Sequence, residues 1–94
     1  MSNIRILKYP VNGSGEVTRI TCRRKRLLDI QRQNLDLVCW IETDDSLPET
    51  TTELVCIGTG WSVDADIFKD LKYLKTVQDT SGYVWHFYEI LGMP

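Results

Sequence analysis

The segment LDLVCWIET at residues 35–43 most constrains the fold, because apolar side chains occupy both of its alternating faces. Successive side chains of an extended strand point to opposite faces, so Cys39 and Ile41 lie on one face while Val38 and Trp40 lie on the other. A strand that is apolar on both faces is normally covered on both. The segment therefore predicts a strand buried within a packed β domain.

Other short runs rich in β-branched and aromatic residues are separated by turn-forming Gly, Pro, Asn and Asp. Seven strands are predicted, at residues 3–9, 16–21, 27–33, 35–43, 53–59, 73–78 and 83–91. Residues 63–74 favour one helix of one or two turns, because Asp64 can cap it and an apolar face follows. That face comprises Ile67, Phe68 and Leu71. The expected fold is all-β: a small antiparallel sandwich or barrel of six or seven strands with one short helix.

The chain has 94 residues, which indicates a single domain over residues 1–94. Its formal net charge of -2 disfavours a general role in binding duplex nucleic acid, which needs a basic face. No leader is recognised and no apolar run is as long as the roughly 18–20 residues of a membrane span. Three dispersed cysteines indicate reduced thiols. We therefore expect a cytoplasmic protein without a membrane partner.

The segment IGTGWSV at residues 57–63 raises two interpretations. In the first, the backbone of Gly58, Thr59 and Gly60 forms an anion-binding nest and Trp61 stacks on a base. In the second, Gly60 supplies a positive φ that ends a strand. A dinucleotide-binding fingerprint would need a third glycine and a long helix, and the sequence has neither.

Four consecutive cations, Arg23, Arg24, Lys25 and Arg26, form the most basic stretch of the chain. In a strand they alternate between faces, so at most two share one direction. With arginines of neighbouring strands, such as Arg5, they could bind phosphates or an acidic protein surface. The alternative is a solvated edge that discourages pairing between molecules.

A catalytic or metal centre is not expected. His86 is the one histidine and has no Ser or Cys nucleophile motif beside it, so a satisfied, partly buried imidazole is the simpler interpretation. Zinc sites use closely spaced cysteine pairs, whereas the three cysteines here are far apart. The carboxylates of the loop at residues 43–52 are typical of a solvated hairpin tip. We expect no enzyme activity, cofactor or metal.

Four short motifs follow one another along the chain: Lys8-Tyr9-Pro10, Trp40, Gly58-Thr59-Gly60 and Val84-Trp85-His86. In order and spacing they resemble a family of short proteins encoded mainly by bacteriophages and prophages. The resemblance covers most of the chain and implies a viral protein located in the host cytoplasm. Small phage proteins commonly act by binding host components, which sets an expectation of function and no more.

The leading hypothesis is a non-enzymatic phage accessory protein that counters a host defence system by binding, and its most concrete version is the sequestration of a small nucleotide signal. Its ligand-binding residues are expected to be Arg23, Arg24, Arg26, Gly58, Thr59, Gly60, Trp61, Tyr73 and Tyr83. The alternatives are a protein–protein inhibitor of a host enzyme or defence complex, of the anti-CRISPR kind, and a minor virion or assembly component. The apolar faces around Trp40 and Trp85 further predict a homo-oligomer, most simply a dimer.

Overall fold

The computed structural model describes residues 2–91 as two antiparallel sheets. In chain order the elements are β1 (Ile4–Pro10), β2 (Thr18–Cys22), β3 (Arg24–Gln33), β4 (Asp36–Asp44), β5 (Thr50–Gly58), α1 (Ala65–Phe68), β6 (Leu71–Gln78) and β7 (Val84–Ile90). The first sheet has the order β1-β4-β3 and the second the order β2-β5-β7-β6. The two sheets form an open sandwich rather than a closed barrel, so the all-β prediction is confirmed.

One residue, Arg23, separates β2 from β3, so the chain passes from the second sheet to the first almost without a break. Beyond the crossing, the pairing of β3 with β4 shifts register between Arg24 and Arg26 and again between Leu27 and Asp29. Such bulges bend a strand and let it turn the corner between two sheets. The basic stretch therefore lies at this corner.

The core lies between the sheets and is made of alternate residues of six strands and the segment after β1. The buried apolar side chains are Val11, Ile20, Cys22, Ile30, Cys39, Ile41, Leu54, Cys56, Val77, Trp85 and Phe87. On β7 the alternation is clear, because Trp85 and Phe87 enter the core while His86 and Tyr88 lie half-buried on the opposite face. Cross-strand contacts between such alternate residues stabilise both sheets.

The strand predicted to be covered on both faces is β4. Cys39 and Ile41 are fully buried in the core, and Val38 is buried on the opposite face. On that outer face Lys8 Nζ donates to Gln33 Oε1 at 2.7 Å. Because Lys8 is on β1 and Gln33 on β3, this hydrogen bond spans β4. The long side chains of Lys8 and Gln33 thus cover part of the outer face of β4.

The helix α1 is a single turn after Gly58-Thr59-Gly60. The Asp64 carboxylate caps it by accepting the Asp66 N–H at 2.8 Å, as predicted. The placement of Leu71 on the helical face is wrong, because Leu71 begins β6 and pairs with Ile90 of β7. Strand pairing with β7 supplies more hydrogen bonds and burial than a second helical turn at the surface would.

Candidate functional site

A groove of about 570 Å³ lies on the outer face of the second sheet, beside α1. Its apolar lining comes from several elements and includes Val55, Ile57, Trp61, Ile67 and Ile90. The Phe68 ring holds α1 against the sheet, in edge contact with Tyr88 at 4.9 Å between ring centroids. We call this feature the Trp61 groove. Its volume falls in the range of typical ligand pockets.

Trp61 enters the groove from a tight turn that ends β5. Its backbone N–H donates to the Gly58 carbonyl at 3.1 Å, and Gly60, the third residue of the turn, has a φ of 88°. A positive φ at this position strongly favours glycine. The interpretation of IGTGWSV as a strand terminator followed by a helix cap is therefore confirmed.

The Trp61 ring is held from behind while part of its surface faces solvent. A methyl group added at Gly58 would lie 2.8 Å from the indole, and one added at Gly15 would lie 2.9 Å from it. The ring also meets Trp85 edge to face at 5.3 Å. Trp61 nevertheless remains 51% exposed. Gly15, Gly58 and Trp85 thus hold the Trp61 ring in one position. A ring that is already immobilised loses little conformational entropy when a ligand binds to it.

Asp79 supports this aromatic cluster from the β6–β7 turn. Its Oδ1 accepts from the Ser81 hydroxyl at 2.6 Å and from the Tyr83 N–H, and its Oδ2 accepts from Trp85 Nε1 at 2.8 Å. The hydrogen bonds from Ser81, and then from Trp85, lower the pKa of the Asp79 carboxyl. The turn also places Tyr83 beside Trp85, with ring centroids 5.9 Å apart.

Acid should release Trp85 from Asp79 only below the ordinary pH range of an aspartate. A carboxyl whose pKa is lowered by folding stabilises the protein above its unfolded pKa, about 3.9, and this contribution is lost as the pH falls through the folded pKa. We expect the Trp85 indole resonance in ¹H–¹⁵N spectra of the folded protein to shift with a midpoint below about 3.9. In Asp79→Asn this transition should be absent. A midpoint at or above the ordinary value would contradict the hydrogen-bonded carboxylate.

Two of the predicted phosphate-binding arginines are engaged in ion pairs. Arg24 binds Glu89 of β7 through two hydrogen bonds, of 2.8 and 3.1 Å, and also donates to the Thr52 hydroxyl. Arg26 pairs with Glu42 across β3 and β4, with Nε 3.3 Å from the carboxylate. The side chains of the Arg24–Glu89 pair are only 22% and 17% exposed, so this pair ties the two sheets together.

The expected single site that combines these arginines with Trp61 is not formed. Glu89 pairs with Leu54 in the middle of β5, whereas Trp85, beside Trp61, pairs with Gly58 at its end. Four residues of strand separate the two places by roughly 13 Å. The prediction of one shared site was wrong because Arg24 binds Glu89, a residue 65 positions away in sequence, and is thereby held apart from Trp61.

Thr59 and Tyr73 take part in a chain of hydroxyl groups on the outer face of the second sheet. The Tyr73 hydroxyl is 2.7 Å from Thr76 Oγ1, which is 3.0 Å from His86 Nδ1. On the other side of the ring, His86 Nε2 is 2.8 Å from Thr59 Oγ1. Both imidazole nitrogens are therefore satisfied, as the simpler interpretation of His86 predicted. Tyr73 itself is 54% exposed and meets Tyr88 at an edge.

Within residues 2–91, no group of three or more His, Cys, Asp or Glu side chains is arranged to hold a metal ion. Cys22, Cys39 and Cys56 are buried and carry free thiols. Burial raises the pKa of the Cys39 thiol to about 11, which makes it a poor nucleophile at neutral pH. No helix in the same part of the chain is long and apolar enough to cross a membrane.

The family of this chain is known from a match over almost its whole length. A family model described as "Domain of unknown function (DUF7352)" matches residues 2–91. The chain belongs to this family. No curated protein and no solved structure matches it. The phage origin, the homo-oligomer and the anti-defence role remain predictions.

In this DUF7352 chain, three groove carboxylates were missed as site residues. Asp64, Asp66 and Asp70 all line the groove, although the sequence indicated a role only for Asp64, as a helix cap. The sequence signal for an acidic site was the presence of three aspartates within nine residues after Trp61. Their presence gives the groove a negative rim, which the expectation of a phosphate ligand did not include.

Proposed function

We propose that this protein is a non-enzymatic accessory protein that acts by binding, and that its partner is a host protein held in the Trp61 groove. One observation carries the proposal: a half-exposed, rigidly supported tryptophan lies in an apolar groove of about 570 Å³ with three carboxylates in its lining. Tryptophan in such surroundings is typical of residues that dominate binding energy in protein interfaces.

The charges of the groove favour a partner segment that is apolar and basic. Asp64, Asp66 and Asp70 line the groove, and no Lys or Arg does so among the described residues. Carboxylates repel phosphate groups and attract Lys and Arg, so the groove suits a cationic peptide segment better than a nucleotide. This favours the protein–protein inhibitor over the sequestration of a nucleotide signal.

A second copy of the chain is a poorer occupant for the groove. The most basic segment that another copy could offer is residues 23–26, and three of its four cations are already paired: Arg24 with Glu89, and Lys25 and Arg26 with Glu42. Inserting them would break pairs that stabilise the fold. A host protein is therefore the proposed partner, while self-association through another face stays a separate prediction.

The resemblance to phage and prophage proteins supports a partner in the cytoplasm of a bacterial host. Countering a host enzyme or defence complex requires only tight binding, and a fold whose cysteines are buried and whose histidine is hydrogen-bonded is suited to that role. A minor virion component would instead use the groove to bind another phage protein.

Site-specific photo-cross-linking tests the proposal. A photo-reactive phenylalanine analogue at Ile67, which is 61% exposed in the groove lining, should capture one host protein in living cells. The matched control places the analogue at Leu28, which is 38% exposed on β3 of the other sheet. The captured protein is then purified and its affinity measured by calorimetry.

We expect Trp61→Ala to weaken this affinity by about 30-fold or more, as hot-spot truncations of about 2 kcal/mol do. Gly58→Ala should also weaken it, because the new methyl group would lie 2.8 Å from the indole and displace it. Equal capture from Leu28, or unchanged affinity in Trp61→Ala, would contradict the proposal. Trp61-dependent binding of cyclic or ADP-ribose nucleotides, in place of a protein, would restore the nucleotide hypothesis.

A further inference from the structure

A second pocket, of about 280 Å³, opens at the side of the sandwich where β1 and β2 are edge strands. Its lining includes Arg5 and Arg23 together with Asn3, Thr43 and Asp45. It involves none of the residues that line the Trp61 groove. We call it the arginine pocket.

The fold places the two arginines there for separate reasons. Arg5 pairs in register with Thr43 of β4, a buried residue of the inner face, so Arg5 also points inward from the edge strand. Thr43 Oγ1 donates to the Arg5 carbonyl at 3.1 Å, which fixes the backbone at this point. Arg23 is the residue at which the chain changes sheets, and one of its guanidinium nitrogens donates to the Leu47 carbonyl at 2.6 Å.

These two arginines differ from the paired cations of the protein. Arg19, Arg24, Lys25, Arg26 and Lys75 each lie within 4.0 Å of a carboxylate oxygen. No such partner is found for Arg5 or Arg23 among residues 2–91. The Asp45 carboxylate at the pocket accepts the Asn3 N–H at 2.8 Å instead. Two guanidinium groups and one carboxylate leave the lining with a net charge of 2 − 1 = +1.

We infer that the arginine pocket binds a phosphoryl oxyanion. Guanidinium groups present several donors in a planar fork that matches the oxygens of phosphate, and charge-assisted hydrogen bonds of this kind are strong. Asn3 and Thr43 add neutral polar groups to the same lining. The volume lies at the lower limit of ligand pockets, about 300 Å³, which suits an anion of the size of phosphate or diphosphate rather than a whole dinucleotide.

The competing explanation for Arg5 is protective, since a charge pointing inward from an edge strand discourages pairing with other chains. That role needs Arg5 alone and predicts no ligand. A bound oxyanion needs Arg5 and Arg23 together, so paired variants separate the two explanations.

Calorimetry with inorganic phosphate and pyrophosphate at low ionic strength tests the inference, with adenosine diphosphate as a further arm. We expect pyrophosphate to bind, and Arg5→Gln and Arg23→Gln each to weaken binding by about tenfold, the effect of losing about 1.4 kcal/mol of charge-assisted bonding. Arg32→Gln removes the same charge near the other end of β3 and should change the affinity by less than about twofold. Thermal unfolding of each variant verifies that it is folded.

Similar affinities for pyrophosphate and adenosine diphosphate would assign recognition to the phosphoryl groups alone, and tighter binding of the nucleotide would add a contact with its base or sugar. Both results support the pocket. No heat of binding up to about 5 mM pyrophosphate, or equal losses in all three variants, would overturn it. Failure of the Trp61 groove proposal leaves this result unaffected, since no variant here touches the groove.

Discussion

Replacing Phe87 with alanine is expected to cost about 3–5 kcal/mol of unfolding free energy, the usual loss for a buried phenylalanine. Phe87 is 1% exposed and lies between β5 and β6, in register with Cys56 and Lys75. A domain of this size has a total stability of only about 5–14 kcal/mol. The urea midpoint followed by circular dichroism should therefore fall by roughly a fifth or more, and a variant unfolded in buffer satisfies the same expectation.

Ile67→Ala is the matched control for Phe87→Ala. Ile67 is 61% exposed, so its truncation should change stability by no more than about 0.5 kcal/mol. If the two variants unfolded at the same urea concentration, Phe87 could not be the centre of the core.

The second large effect concerns the Arg24–Glu89 pair. Glu89→Ala should destabilise the protein by about 2–3 kcal/mol, because it leaves the largely buried Arg24 charge without its partner. This is less than the loss of about 3–5 kcal/mol for a fully buried pair, since both side chains keep some exposure to solvent. The double variant Arg24→Met/Glu89→Leu should recover most of this loss, since apolar side chains of similar volume replace both charges. Urea unfolding of the wild type, Arg24→Met, Glu89→Leu and the double variant gives the coupling energy directly.

An exposed pair provides the comparison for this cycle. Arg19 and Glu53 are 66% and 36% exposed at the side chain, so Glu53→Ala should cost less than about 1 kcal/mol. If Glu89→Ala cost no more than Glu53→Ala, Arg24 would be a free cation, and its expected role in ligand binding would regain support.

The strands were predictable because each obeys a local rule. Alternation placed Cys39 and Ile41 on one face of β4 and Trp85 and Phe87 on one face of β7, and both pairs lie in the core. Which strands pair is not a local property. The passage of the chain between sheets at Arg23 depends on bulges that form only when β3 meets β4.

The candidate site was predictable in its aromatic part and not in its charges. An exposed tryptophan after a Gly-Thr-Gly turn is visible in the sequence, and Trp61 does line the largest of the grooves described above. The partner of Arg24 is 65 residues away, and no periodicity could reveal that Glu89 engages it. Interpreting four consecutive cations as one ligand site overlooked the carboxylates that folding brings to Arg24, Lys25 and Arg26.

The single-residue crossing at Arg23 also affects how the domain opens. Residues 18–33 form a nearly continuous ribbon whose first part belongs to one sheet and whose remainder belongs to the other. Neither sheet can separate from its neighbour without bending this ribbon and breaking hydrogen bonds in both. The sandwich therefore constitutes one cooperative unit in which amide protons of β4 and β5 become accessible together, rather than two layers that exchange independently.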